Sequence, residues 1–280
     1  MKFTKMQGAG NDFIIINNIE EKIPAEKLGA LAVALCERKF SIGADGLMVV
    51  EKAEHGGDYK MLFFNSDGSE AEMCGNGARC ISRYGHDKGL AEGDEQHIET
   101  VSGTVIGERL SERIYKVRLN SPTFMEHGVG VTVGGEKFDV SYVELGEPGM
   151  PHAVVLLDGW DRIDDDRLHE IGREIRYFEG FPKGANVTFV MKKGNDSLKA
   201  KTYERGVEDF TLACGTGSGA TVVALADRGL VSGNNVLVSV PGGELFVTVE
   251  NNGEGSTDLF LTGPATMVCE GRVLNDIVAL

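Results

Sequence analysis

The chain repeats itself across its midpoint. Met73-Cys74-Gly75-Asn76-Gly77-Ala78 in the first half returns as Ala213-Cys214-Gly215-Thr216-Gly217-Ser218 in the second, at an offset of 140 positions in a sequence of 280. Downstream, Lys88-Gly89-Leu90 follows Cys74 at the same spacing as Arg228-Gly229-Leu230 follows Cys214. Further on, Ser102-Gly103 and Pro241-Gly242-Gly243 each fall between two strand-like apolar runs. Three matches in register imply two homologous halves facing each other.

The local patterns around the repeat give the elements. Each Cys-Gly-x-Gly segment opens a helix, predicted over Asn76 to Lys88 and over Thr216 to Arg228. Both end on a basic residue followed by glycine, the usual stop signal. The second is apolar on nearly every side from Ala220 to Ala226, the pattern of a buried helix. Helical segments are also expected from Pro24 to Phe40 and from Asp165 to Arg176. Strands are expected at Phe13 to Asn17, Leu47 to Glu51, Tyr59 to Asn65 and Val154 to Leu157. Val236 to Val240 and Glu244 to Val249 form a hairpin about Pro241-Gly242-Gly243. The boundary between the halves falls near Leu119 to Pro122. The class is mixed α/β, and 38 glycines suit a chain of strands and turns.

Composition narrows the function classes. A formal net charge of −15 repels nucleic acid and anionic lipid. No run of about eighteen apolar residues suggests a membrane span, and residues 1–12 lack the apolar core of a secretory signal. A cytoplasmic protein with five reduced cysteines, Cys36, Cys74, Cys80, Cys214 and Cys269, is the expectation. There is no C-x-x-C pair and the histidines do not cluster, so no metal is expected.

Two cysteines at helix starts suit one kind of chemistry. The α-proton of an amino acid is hard to remove, and many enzymes use pyridoxal phosphate as an electron sink. No phosphate loop for that group is evident, and no cofactor is expected. The alternative is a thiolate that removes the proton on one face and a thiol that returns one on the other. At a helix N-terminus the free N–H groups and the dipole lower a thiol's pKa from about 8.5 toward neutrality. Gly75, Gly77, Gly215 and Gly217 let the backbone approach a ligand. A substrate carboxylate could then rest on the N–H groups of both helix starts, where donors already aimed at developing charge favour the transition state. Cys74 and Cys214 are therefore the candidate acid–base pair; Cys36, Cys80 and Cys269 read as packing residues.

Met6-Gln7-Gly8-Ala9-Gly10-Asn11-Asp12-Phe13, Gly43-Ala44-Asp45-Gly46, Asn65-Ser66-Asp67-Gly68-Ser69, Cys74 to Arg79, Pro151-His152, Asn186, Tyr203-Glu204-Arg205-Gly206 and Ala213 to Gly217 together resemble the diaminopimelate epimerases, in order and over nearly the whole chain. The resemblance implies two pseudo-symmetric lobes, each a β-barrel-like sheet around a central helix, with the active site in the cleft between them. One lobe would span 1–118, with 265–280 packing back on it, and the other 119–264. The implied reaction interconverts LL- and meso-diaminopimelate for lysine and peptidoglycan synthesis, in a homodimer that binds only this small amino acid. By position, Cys74 and Cys214 exchange the proton. Gly75, Asn76, Gly215 and Thr216 hold the carboxylate at the reacting centre. Asn11, Asn65, Asn186, Glu204 and Arg205 contact the substrate, several at its distal end, and His152 and Glu204 tune the cysteines.

The pattern is broken in three places. Met150 stands where the family often has asparagine before Pro151-His152 and cannot replace its hydrogen bonds. Glu204 to Cys214 spans one residue more than the common pattern, with Glu208-Asp209-Phe210 in between. Cys269 falls where some members carry a tyrosine linked to dimer contact. Two other readings stay open: a racemase of the same fold acting on another amino acid such as histidine, and a non-catalytic amino-acid-binding protein.

Overall fold

A computed structural model describes residues 1–71, 74–251 and 257–274. Met73 of the first repeated segment and residues 275–280 of the C-terminal segment lie outside the described residues. The chain divides into two compact units, Met1–Val117 with Gly263–Leu280, and Arg118–Thr262.

The first unit contains β1 (Lys2–Gly8), β2 (Asn11–Asn17), a single turn α1 (Asn18–Glu21), α2 (Leu28–Cys36), β3 (Gly46–Glu51), β4 (Tyr59–Asn65), α3 (Gly75–Asp87), β5 (Glu95–Thr100) and β6 (Gly103–Arg109). The chain crosses to the second unit within β7 (Ile114–Leu119). There follow β8 (Pro122–Val133), β9 (Glu136–Leu145), β10 (Met150–Leu156), α4 (Asp165–Arg176), β11 (Asn186–Gly194), β12 (Ser197–Glu204), the two-residue β13 (Asp209–Phe210), α5 (Gly215–Asp227), β14 (Val236–Val240), β15 (Gly243–Asn251) and β16 (Thr257–Pro264). The last described strand, β17 (Thr266–Arg272), pairs with β1 in the first unit.

The duplication extends to strand order. The first unit's sheet runs β17-β1-β2-β3-β4-β5-β6-β7. The second runs β8-β9-β10-β11-β12-β14-β15-β16. In both, successive neighbours are antiparallel twice, then parallel, antiparallel, parallel, and antiparallel twice. The parallel ladder β2/β3 opens at Phe13↔Gly46 and its counterpart β10/β11 at His152↔Asn186. Strands β7 and β16, the last of each series, are not edges, because they pair with each other.

Burial explains the sequence of the central strands. Phe13 to Ile16 and Leu47 to Val50 are apolar without a break because both faces of β2 and β3 are covered. Side chains alternate across a strand: Ile14, Ile16, Leu47 and Val49 pack with Leu28, Leu31 and Leu35 of α2. On the other face α3 lies so close that a methyl on Gly77 would meet Met48 Cε at 2.2 Å. In the second unit Ala153, Val155, Val187 and Phe189 pack with Leu168, Ile171 and Ile175 of α4, and a methyl on Gly217 of α5 would meet Thr188 Oγ1 at 3.0 Å.

The helix ends follow their signals. Asp164 accepts from Asp166 N at 3.1 Å to cap α4, with acids in its first turn and Arg173 and Arg176 in its last. Helices α3 and α5 close alike: Gly89 and Gly229 take φ of +65° and +67°, which glycine adopts without strain. Leu90 N then reaches Gly85 O at 2.9 Å and Leu230 N reaches Leu225 O at 2.8 Å. The expected helix from Pro24 to Phe40 is shorter. A 3-10 turn covers Ala25–Lys27, and α2 stops at Cys36 because Gly43 N and Ala44 N take the Leu35 and Cys36 carbonyls. No helix among the described residues is long and apolar enough to cross a membrane.

Candidate active site

Cys74 stands immediately before α3 with extended backbone, φ −106° and ψ 127°. Its carbonyl takes Ala78 N at 2.7 Å, so the helix starts directly behind the thiol. The first N–H groups of a helix have no intrahelical acceptor and carry the positive end of its dipole. Cys74 Sγ donates to Asn11 Oδ1 at 3.3 Å, and Asn76 Nδ2 donates to the same oxygen at 3.4 Å. Asn11, Cys74 and Asn76 are thus brought together.

Beneath them lies Arg79, fully buried. Its guanidinium donates to Asn76 Oδ1 at 3.0 Å, Gly75 O at 3.3 Å and Pro264 O at 3.4 Å. Burial pushes its pKa down, while the Cys80 and Cys74 sulfurs pull it up; a guanidinium keeps its proton even so. Cys80, wholly buried on the same helix, is pushed up to about 12 by desolvation and remains a neutral thiol.

Cys214 repeats the backbone arrangement with different neighbours. It precedes α5 with φ −110° and ψ 109°, and its sulfur accepts from Gly217 N at 3.3 Å. The missing side chain of Gly217 makes this possible, since a methyl there would sit 3.1 Å from that sulfur. Thr216 Oγ1 lies 3.6 Å from Cys214 Sγ and donates to Met150 Sδ at 3.7 Å. Met150 opens β10 two residues before the parallel ladder, as Asn11 opens β2, so the two are counterparts. Gly219 is the helical counterpart of Arg79.

The other residues expected at the site fall into smaller groups. In β10, His152 is fully buried; among the described residues neither ring nitrogen has a hydrogen-bond partner. Desolvation, helped by the charge of Arg205, lowers its pKa to about 3, so any influence it has near neutral pH is that of an uncharged ring. Asn186 uses both ends of its amide on backbone: Nδ2 donates to Pro151 O at 3.3 Å and Oδ1 accepts from Arg205 N at 2.9 Å. Arg205 Nη1 donates to Lys183 O at 3.1 Å, and Glu204 Oε1 accepts from Thr211 Oγ1 at 2.5 Å. Asn65 Nδ2 donates to Ser69 Oγ at 3.0 Å within the turn that closes at Gly68. That turn is fixed from below by α2, because methyls on Gly68 and Gly29 would meet each other's carbonyl oxygens at 2.7 and 2.8 Å. Gly75 and Gly215 are the first residues of their helices.

Sequence reasoning gave no role to Asp45, although Gly43-Ala44-Asp45-Gly46 was singled out. Its Oδ2 accepts from Asn11 Nδ2 at 2.6 Å and from Asp12 N at 3.0 Å, and its Oδ1 accepts from Arg38 Nη2 at 2.9 Å. An acid beside a motif asparagine was the available signal. Arg79 was also passed over; an arginine in the first turns of a helix that opens Gly-x-Gly was the clue. Among the described residues no three His, Cys, Asp or Glu side chains are grouped to hold a metal ion.

Residues 3–122 and 146–268 match the family model described as diaminopimelate epimerase. The chain belongs to the diaminopimelate epimerase family. It is 40% identical over 286 residues to the diaminopimelate epimerase of Hydrogenobaculum sp. (strain Y04AAS1), covering 99% of this chain and 100% of that protein. To that of Aquifex aeolicus (strain VF5) it is 37% identical, covering 99% of each. Solved structures show the same fold at low identity. The Bacillus anthracis phenazine biosynthesis protein of the PhzF family superposes with a TM-score of 0.74 at 15% identity, covering 98% of this chain and 99% of that one. A hydroxyproline epimerase from Agrobacterium vitis with bound trans-4-hydroxy-L-proline gives 0.69 at 17%, covering 99% and 95%. The family's fold therefore extends well beyond close sequence relatives.

Proposed function

We propose that the protein interconverts LL- and meso-diaminopimelate by proton transfer between two thiols, in the cytoplasm, as a step in making lysine and peptidoglycan precursors. The observation that carries the reading is the duplicated thiol: Cys74 and Cys214 each precede the buried helix of one unit, in a chain aligned along its length with epimerases of that name.

In this reading one sulfur, as thiolate, takes the α-proton, and the other, as thiol, delivers its proton to the opposite face of the same carbon. The charge that develops on the substrate carboxylate is met by the helix starts at Gly75, Asn76, Gly215 and Thr216. Arg205 carries a planar cation suited to a second carboxylate and Glu204 an anion suited to a second ammonium. Asn11, Asn65 and Asn186 complete the substrate contacts, and His152 acts on the thiols as a neutral dipole.

The test is a panel of amino acids incubated with the protein in deuterium oxide and read by mass spectrometry. Label entering the α-position of diaminopimelate, with conversion between its forms, is the expected result. Met150 beside Thr216, where its counterpart is an asparagine, favours one competing reading, a racemase for a substrate with an apolar or aromatic side chain. Label entering mainly histidine would establish that alternative. Exchange into no amino acid would leave a binding protein.

A further inference from the structure

The two ends of an amide act oppositely on a thiol. A carbonyl oxygen accepts from S–H and opposes a thiolate, whereas an NH2 group donates to a thiolate and stabilises it. Asn11 presents its oxygen to Cys74 Sγ at 3.3 Å. The orientation is forced from behind, because Nδ2 donates to Asp45 Oδ2 at 2.6 Å and an ionised carboxylate has no proton to give the other end. Asp45 is itself fixed, through Oδ1 to Arg38 Nη2 at 2.9 Å and through Oδ2 to Asp12 N at 3.0 Å. Asp12 is in turn paired with Lys5 at 2.7 Å and with Arg38 at 2.6 Å. In the second unit Met150 stands in the place of Asn11, and the Cys214 sulfur receives a backbone N–H from Gly217, a donor that favours the thiolate, and lies 3.6 Å from Thr216 Oγ1.

We infer that Asp45 is a positioning residue that locks Asn11 with its oxygen toward Cys74, so that Cys74 rests as the protonated thiol and Cys214 supplies the thiolate. The inference rests on the two-thiol reading above. In the first turnover the Cys214 thiolate takes the α-proton and becomes S–H. The electron pair left on the carbon takes the proton of Cys74, and the thiolate now lies on Cys74. Of the other charges near Cys74 in its own unit, Arg79 favours the thiolate, but its hydrogen bonds go to the Gly75 and Pro264 carbonyls and the Asn76 amide. Cys80 is neutral, and Asp12 is matched by Lys5 and Arg38. None of these groups changes in the variants below.

The experiment is iodoacetamide alkylation of the intact chain as a function of pH, with each cysteine quantified by peptide mass spectrometry and Cys214 as internal reference. In Asp45→Asn the Asn11 amide is free to turn its NH2 to the sulfur. The Cys74 midpoint should fall by about one pH unit, or about tenfold faster alkylation near pH 7. Asn11→Ala alone, which keeps the Asp45–Arg38 pair, should also lower it. Adding Asp45→Asn to Asn11→Ala should then have no further effect on Cys74. A shift that persists undiminished in the double variant means Asp45 acts by its charge alone and overturns the inference, as does an unmoved Cys74 midpoint in the single variants. Alkylation needs no turnover. A protein that shows these shifts and inverts no amino acid would sink the functional reading; an active epimerase without them would sink the role of Asp45.

Discussion

Asn11 and Met150 take the same place in two sheets of the same strand order, yet one is a hydrogen-bonding amide beside a thiol and the other a thioether beside Thr216. If diaminopimelate is the substrate, Met150 is only a wall, and polar partners elsewhere hold the distal carboxylate. Met150→Asn should then change kcat/KM for diaminopimelate by about 1–2 kcal/mol, the scale of one hydrogen bond to a charged group. A much larger change in steady-state kinetics would give Met150 a determining part in substrate choice.

Replacing either Cys74 or Cys214 by serine should slow inversion by roughly a hundredfold or more, the usual contribution of a matched acid or base. A hydroxyl is a far weaker acid than a thiol. Alanine at either position should stop inversion while leaving the circular dichroism spectrum unchanged. Near-normal inversion by Cys214→Ala would contradict the two-thiol assignment.

His152 gives the fold a pH dependence. Its folded pKa, about 3, lies below the ordinary value of 6.5, so between these limits the unfolded chain binds a proton that the folded chain refuses. Its neutral burial is compatible with full stability above pH 6.5. As pH falls below that, stability should drop by about 1.4 kcal/mol per unit, until the folded ring protonates too. The counterpart of His152 in the first unit is Phe13, which suggests His152→Phe as the control. Urea melts at pH 7 and pH 5 should converge for this variant; an unchanged gap would assign the dependence to other groups.

Arg79 should matter to stability far more than a surface arginine. Arg79→Met removes three charge-assisted hydrogen bonds, to Gly75 O, Pro264 O and Asn76 Oδ1, from a buried guanidinium site, at a cost of about 3 kcal/mol or more. A urea midpoint close to wild type would show that water or a rearranged α3 satisfies those acceptors instead.

The helices around the thiols were legible because their ends carry chemistry. Gly-x-Gly after each cysteine and Lys-Gly-Leu or Arg-Gly-Leu at the far end placed α3 and α5 to within one residue. The hairpin β14/β15 was legible because Pro241-Gly242 can only turn; its counterpart β5/β6 closes at Thr100↔Gly103 as β14/β15 closes at Val240↔Gly243. The long pair β8/β9 was missed. Much of β8 is exposed, so its residues alternate without the apolar run that marks a covered strand. The site was legible as a set of residue types but not as orientations. Which end of Asn11 faces Cys74 depends on Asp45, 34 positions away, and no local pattern encodes that. Nor could spacing show that Arg79 is buried rather than solvated, since the same residue on an exposed helix face would read identically.

The strand that completes the first unit's sheet beside β1 comes from residues 266–272, after the whole of the second unit. During synthesis the ribosome therefore releases every strand of the second unit before the first unit can acquire β17. The N-terminal half must wait with the ladder groups of β1 unpaired on that side, an open edge of the kind that recruits strands from other chains. The second unit, continuous in sequence, can finish first. Order of completion thus runs against order of translation, and the interval in which this protein is most exposed to misassembly lasts until β17 emerges.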